Sequence, residues 1–514
     1  MRRLSITLRV VSRLLLLIGS TQTSCSVSAQ DLPPAPDVSV ATPKAIADLP
    51  EEQTVESQKK PHYDARVVAR GQSAFQASCT SCHDANLALS KQKSLKEWRN
   101  TVRRMAAKDG ANVPDADWES IAIYLTSLRQ SEVSTSDSSK DGEDSVAERF
   151  SVNGTLSPLF RGSGADIQNR GFFPEAWLGV AYQSKGFVSA RVTACLTCHT
   201  GSDYMDGNID LVEAAVRFDL TQIVEPRCRG NWKASVDAGR FIVPFGAFSS
   251  QVNPGVFRTV SKPLIFNMGM RALDSQLGDT VLPMPYADTG ANLHLGVPVT
   301  ETINATWDGY VVNGLQGDRN GINFDASTSY FDNNRSPALG SRVTAGNQFL
   351  KFGSSITGGH FADDPAAKPL DSGLVYMILG ADMTLRYEDR IRVQCEYAQR
   401  ETDRVLNPKD FPSLSHVTVD NEMVGGGYVE AEALILRKYK ISALVRYDDQ
   451  ARHGFAPPPG SSLTMGSYAI SRFTWGFNWT LPGGSLLMLN HEYWYVPKSL
   501  PNVNVVGLRW AATF

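Results

Sequence analysis

The pattern Cys-x-x-Cys-His occurs twice in this chain of 514 residues, as Cys79-Thr80-Ser81-Cys82-His83 and as Cys195-Leu196-Thr197-Cys198-His199. Two thiols at this spacing with an imidazole beside the second suit one chemistry in particular. Each sulfur forms a thioether to a porphyrin vinyl group, and the histidine gives a ring nitrogen to the iron; this is the attachment pattern of c-type haem. The chain holds only seven cysteines and eight histidines, so chance supplies on the order of 0.001 such matches. The competing readings are a disulfide, a zinc half-site and a thioredoxin-like redox pair. Zinc needs two further Cys or His ligands at compatible spacing, and neither motif has a second CxxC or an HxxxH nearby. The motifs therefore predict two covalently bound haems, tethered by Cys79 and Cys82 and by Cys195 and Cys198. His83 and His199 are the proximal iron ligands.

Covalent haem attachment requires export, and the N-terminus provides for it. Arg2, Arg3, Arg9 and Arg13 precede the apolar run Leu14-Leu15-Leu16-Leu17-Ile18, and Val27-Ser28-Ala29 offers small residues for cleavage. Residues 1–29 read as a secretory signal peptide whose apolar part is too short to span a membrane. Gln22-Thr23-Ser24 before Cys25 fits a lipobox poorly. No later stretch of 18 apolar residues appears, which excludes a further transmembrane helix. Cleavage removes four arginines and no acid, taking the net charge from −3 to −7, so nothing suggests a nucleic-acid partner. Cys228 and Cys395 remain outside the motifs and could form a disulfide.

The elements that must hold the motifs differ along the chain. Residues 30–62, rich in Pro, Ala, Asp and Glu without hydrophobic periodicity, read as a flexible leader. Residues 63–130 have helical periodicity, and the polar, Ser- and Asp-rich residues 131–149 read as a linker. From 150 to 514 the apolar period becomes two. Ile391, Val393, Cys395 and Tyr397 alternate with Arg392, Gln394 and Glu396, and Phe473, Trp475, Phe477 and Trp479 alternate with Arg472, Thr474, Gly476 and Asn478. The chain closes on Val506, Leu508, Trp510, Ala512 and Phe514, alternating with Arg509 and Thr513. Long strands with one apolar and one charged face, aromatic residues near their ends and a terminal Phe predict a large antiparallel transmembrane β-barrel of about 14–16 strands. A soluble β-sandwich is the alternative, since its strands alternate too. The fold class is thus α + β multidomain: a small all-α domain, then the barrel. Residues 273–302, 316–335, 402–424 and 450–466 are the expected long loops.

The first motif has helices to seat it. Val67, Gly71 and Phe75 share a face just before Cys79, Trp98, Val102 and Met105 lie on a second helix, and Trp118, Ile121, Tyr124 and Leu125 on a third. On these residues the stretch from 69 to 128 resembles a small class I cytochrome c. Met105, the only methionine of residues 63–130, is the expected sixth ligand; a thioether favours reduced iron and raises the potential. It could instead fill a core gap, and His62 is a rival ligand. The second motif sits between strand-like residues 187–194 and 209–220, without flanking helices. Its sixth ligand stays open among Met205, Met268, Met270, His294 and His360, and an open coordination position would permit peroxidase-like chemistry.

Residues 238–246, 394–400, 427–432 and 507–514 resemble bacterial outer-membrane porins of the phosphate-selective type. The order signal, small cytochrome c, linker, barrel is similar to the fused cytochrome–porins of iron-oxidising bacteria, from which the second motif is a departure. The resemblance implies an outer-membrane protein that moves electrons between a periplasmic carrier and an extracellular redox partner or metal ion, with lipid around the barrel. The alternatives are a solute-conducting porin with a tethered cytochrome, and a di-haem peroxidase. The last conflicts with the strand pattern, because those enzymes are helical throughout. Electron transfer is expected in preference to enzymatic turnover.

Overall fold

A computed structural model of the chain describes residues 67–68, 71, 74–75, 93–106 and 118–135. From residue 150 it describes all but 166, 168–169, 185–186, 199–207, 223–231, 267–279, 301, 320, 328–333, 335, 363–372, 389, 407–413, 455–466, 482–483 and 497–500.

The N-terminal described residues are helical, as their periodicity predicts. Helix α1 spans Leu95–Ala106 and α2 spans Trp118–Thr135, and residues 67–68, 71 and 74–75 are helical as well. A capping box starts α1: Glu97 Oε2 accepts from both the backbone N–H and the hydroxyl of Ser94, at 2.8 Å each. Phe75, Trp98, Val102, Ile121, Ala122, Tyr124 and Leu125 form one buried core, with Val68 packed against it in the place expected for Val67. Helix α2 runs on to Thr135, into the residues expected to be linker.

The remainder is strand. The wall begins with β1 (Phe150–Leu156) and β2 (Leu159–Gly162), then β3 (Gly171–Phe173) and β4 (Ala176–Gln183). It continues through β5 (Val188–Cys198), β6 (Asn208–Asp219), β7 (Lys233–Ile242), β8 (Ala287–Pro298) and β9 (Asn304–Val312). The two-residue strands β10 (Gly317–Asp318) and β11 (Gly321–Ile322) form a separate ladder. The wall resumes with β12 (Ala338–Gly346), β13 (Leu350–Ala362), β14 (Leu374–Tyr387), β15 (Ile391–Leu406) and β16 (Thr418–Leu436). It ends with β17 (Ile441–His453), β18 (Tyr468–Thr480), β19 (Leu486–Tyr495) and β20 (Val503–Thr513). Strands β1 and β2 are two halves of one stave, as are β3 and β4, so the antiparallel ring has 16 staves. Pairing of β20 with β1 and β2 closes it.

Burial decides between barrel and sandwich. Phe473, Trp475, Phe477 and Trp479 are 40–45 % exposed, whereas their neighbours Arg472 and Thr474 are 0 % exposed and Asn478 is 1 % exposed. A sandwich would bury the aromatic face. Here apolar side chains point outward and polar ones inward, the polarity of a membrane barrel with a wet-lined lumen. The final strand keeps the same phase: Leu508 and Trp510 are exposed and Arg509 is buried.

Further expectations change, and strand also covers residues 402–406, 418–424 and 450–453 of the expected loops. Residues 287–298 lie in a predicted loop but form β8, whose lumenal face carries Asp288, Asn292 and His294 and whose apolar alternation is confined to Leu293, Leu295 and Val297 in its second half. The left-over cysteines do not pair, because Cys395 is a free thiol.

The lumen is occupied. Between β7 and β8 the chain folds inward, burying Phe245, Phe248, Phe257, Ile265, Phe266, Leu282 and Met284 in one core with the wall residues Tyr310, Tyr376 and Tyr428. Leu315, Ile322 and Phe324, from the connection between β9 and β12, join that core.

Candidate functional site

Two features carry chemistry: the helical core beside the first motif, and the clamped lumen of the barrel.

In the helical part, the segment that leads to Cys79 crosses α2 at direct contact. A Cβ on Gly71 would stand 2.0 Å from the Ser120 carbonyl oxygen and 2.8 Å from Tyr124 Cβ, so only glycine permits this approach. Phe75 then anchors the segment on the Tyr124 ring, with centroids 5.8 Å apart, four residues before the first motif cysteine. Arg99 ties α1 to α2 through Glu119, with Nε donating to Oε2 at 2.8 Å. These hydrogen bonds hold the Glu119 carboxyl below the ordinary carboxylate range. Trp98 is buried, and its indole N–H has no acceptor among the described residues. A buried N–H without a partner is costly, and a porphyrin propionate is the kind of anionic acceptor that would satisfy it. The residues present thus fit a c-type haem. Cys79, Cys82 and His83 lie outside the described residues, as do His62 and the side chain of Met105, which belongs to the last turn of α1.

The second motif has another setting. Cys195 lies within β5, paired on one side with Trp177 of β4 and on the other with Asp210 of β6. It is 1 % exposed, packs with Trp177, Val212 and Ala287, and is disulfide-bonded. Thr197, between the two motif cysteines, is pinned to the neighbouring stave: it accepts from Ala176 N–H at 3.0 Å and donates to the Pro174 carbonyl at 3.1 Å. The cavity beside Cys195 measures about 20 Å³. That is room for one water, whereas a cofactor-sized ligand needs on the order of 300–1,000 Å³. The surroundings of Cys195 do not fit a porphyrin. His199 and the side chain of Cys198 lie outside the described residues, as do Met205, Met268 and Met270. Of the other candidate ligands, His294 Nδ1 pairs with Asp308 at 2.8 Å and His360 sits at a register shift in β13.

The inserted segment is clamped to the wall from β13 round to β20. Gly246 N–H donates to Ser355 Oγ at 3.1 Å, and Ala247 and Phe248 N–H donate to Glu396 Oε2 at 3.1 and 3.0 Å. Gly246 has φ +62°, and a Cβ there would overlap Glu396 Oε1. Val260 N–H donates to Asn490 Oδ1 at 2.6 Å and Leu264 N–H to Asp448 Oδ1 at 2.7 Å. The carbonyls of Ser261, Lys262 and Val260 accept from Arg446, Arg472 and Arg509 at 3.0, 2.7 and 2.8 Å. These arginines are fully buried, and Asp448 pairs with both Arg446 and Arg472. Charged, desolvated clamps of this kind hold one conformation, because losing a single partner strands a buried charge.

Sequence reasoning placed the haem motifs and missed this insertion. A signal for it exists: residues 241–266 are rich in apolar residues, carry Pro244, Pro254 and Pro263, and lack a period of two. Such a run suits buried irregular backbone better than a stave.

The family described as cytochrome C oxidase, cbb3-type, subunit III matches residues 66–125. Residues 66–125 are a cytochrome c-type domain. Such a domain implies haem c. The chain joins this domain to a porin-like outer-membrane barrel. No curated protein matches the chain. Among solved structures, the barrel is similar to an anion-selective porin from Comamonas acidovorans, at 11 % identity and TM-score 0.44 over 71 % of this chain and 99 % of that one. It is also similar to the outer membrane channel DcaP of Acinetobacter baumannii, at 10 % identity and TM-score 0.43 over 71 % and 97 %. The strand pairing and the inside-out polarity define the barrel independently of these likenesses.

Proposed function

We propose that this cytochrome–porin fusion is an electron-transfer protein of the outer membrane, working between a periplasmic carrier and an extracellular donor or acceptor. The observation that carries the reading is the apolar segment fastened inside the barrel. A barrel built for solute flow leaves an aqueous path, whereas this one spends Asp448, Glu396, Arg446, Arg472 and Arg509 on fastening an apolar segment inside itself. With that segment fixed inside the barrel, the reading rests on the redox domain in the same chain.

In that domain Cys79 and Cys82 would tether haem c, and His83 and Met105 would supply ligands to its iron. When bound, haem c supplies a one-electron couple at its iron. The rest is the work of the chain. The Gly71–Ser120 contact and the Phe75–Tyr124 pair fix the segment that carries the cysteines. Trp98 offers a buried N–H to which an anionic group could bond, and α1 and α2 supply an apolar core. Outside, the aromatic and aliphatic face of the staves fits lipid and insulates the lumen.

The protein reconstituted in planar bilayers should show near-zero conductance, and reconstituted in liposomes it should pass electrons to an enclosed redox dye. A large, steady open-channel conductance without dye reduction would support the solute porin instead.

A further inference from the structure

We infer that Cys195 is held in a structural disulfide of the barrel wall and not in a haem thioether, so that the chain carries a single covalent haem, at its first motif. The inference stands on the second motif alone and leaves the electron-transfer reading, which needs only the first, to its own test.

Four observations converge. A thioether-bound haem must lie with its ring edge at the cysteine sulfur, yet the Cys195 side chain is enclosed by Trp177, Val212 and Ala287. The neighbouring cavity, bounded by Glu175, Phe257, Lys262 and Met284 among others, holds about 20 Å³. Opening it to a porphyrin would displace the inserted segment, whose Val260 carbonyl is bonded to the buried Arg509 guanidinium. Arg509 also pairs with Glu175, on the rim of that cavity. Next, Cys195 is paired with Trp177 on one side and with Asp210 on the other, between two register shifts of β5 against β6, and Thr197 locks the backbone that follows to the adjacent stave. The first motif differs, following a helical segment that has no strand partners. Finally, the Cys195 sulfur is already bonded to another sulfur.

The chemistry balances in the export compartment. Two cysteine thiols lose two protons and two electrons as the S–S bond forms, and a disulfide oxidoreductase takes the electrons, its own disulfide becoming a dithiol. The bond cross-links the chain where β5 and β6 approach the connection 199–207, at the barrel end that carries the long connections, and it constrains the unfolded chain. His199 is then no iron ligand.

The test uses the full chain purified from outer membranes. Haem per chain is measured by pyridine haemochrome absorbance against protein, and the peptide 192–217, released by cleavage after Arg191 and Arg217, is examined by mass before and after reduction. One haem per chain, and a 192–217 peptide that takes up alkylating reagent at Cys195 only after reduction, are the expected results. The double variant Cys195→Ser, Cys198→Ser should keep the same haem content and absorption spectrum as the parent. If that variant does not fold, the peptide measurement on the parent chain still decides. Two haems per chain, a haem-modified 192–217 peptide, or a Cys195 thiol alkylated without reduction would each overturn the inference.

Discussion

Replacing Met105 with Ala should remove the methionine-to-iron charge-transfer band of the oxidised protein and lower its reduction potential, because the soft thioether that favours reduced iron is gone. An unchanged band would exclude Met105 as the axial ligand. Gly71→Val is expected to separate the helix before the motif from α2, since its Cβ would meet the Ser120 carbonyl at 2.0 Å. Overpacking of this kind costs ~1–3 kcal/mol, which should appear as an earlier melt of the haem absorbance with the barrel transition unmoved. At this scale the sequence was readable where chemistry is spelled in a local pattern. Cys79, Cys82 and His83 form such a pattern, and the helical faces of Phe75, Trp98, Val102, Ile121, Tyr124 and Leu125 emerge as a core. Cys195 shows the limit of such reading. The same five-letter pattern says nothing of whether the backbone around it is helical or laddered, and the burial that excludes a porphyrin comes from residues 287 and 177, distant in sequence.

Alternation with period two identified most staves, because an apolar outward face and a polar inward face are imposed by lipid and lumen at every second residue. The outward face should therefore be intolerant of charge: Phe477→Arg is expected to destabilise the folded barrel by ~2–4 kcal/mol near the bilayer midplane, measured by urea unfolding in lipid vesicles. Strand β8 escaped detection because its apolar alternation is short, Leu293, Leu295 and Val297, and its first half holds only small or polar residues. The inserted segment escaped because its order is set by partners such as Glu396, Asp448 and Arg509, more than a hundred residues away. Glu396→Ala leaves the Ala247 and Phe248 N–H groups without their acceptor and should loosen that end of the segment, seen as new proteolytic cleavage near residue 247 and a rise in conductance. In the helical part, the depressed Glu119 carboxyl links stability to pH with a definite sign. Its contribution is present above the unfolded-state value and fades as pH falls through the lower, folded-state one. Both partners are about half exposed, so solvent screening keeps the effect below ~1 kcal/mol. Arg99→Ala should flatten the acid limb of the melting curve of this domain by that small amount.

Across the whole molecule, two designs with opposite solvent logic share one chain. The cytochrome c-type domain hides apolar side chains from water, and the barrel shows them to lipid while burying its charges around the inserted segment. Domain order was legible from the change of apolar period alone, and the filled lumen was not, since it emerges only when a 16-stave ring closes around the connection between β7 and β8. That inserted segment is the observation on which the proposed electron-transfer reading rests. The most direct measurement of this claim combines conductance with electron transfer on one preparation: liposomes enclosing a redox dye, the full chain inserted, and an impermeant reductant outside. The account predicts reduction of the enclosed dye with near-zero ionic conductance, and loss of dye reduction in a Cys79→Ala, Cys82→Ala variant. An open-pore conductance together with dye reduction that survives in that variant would contradict it.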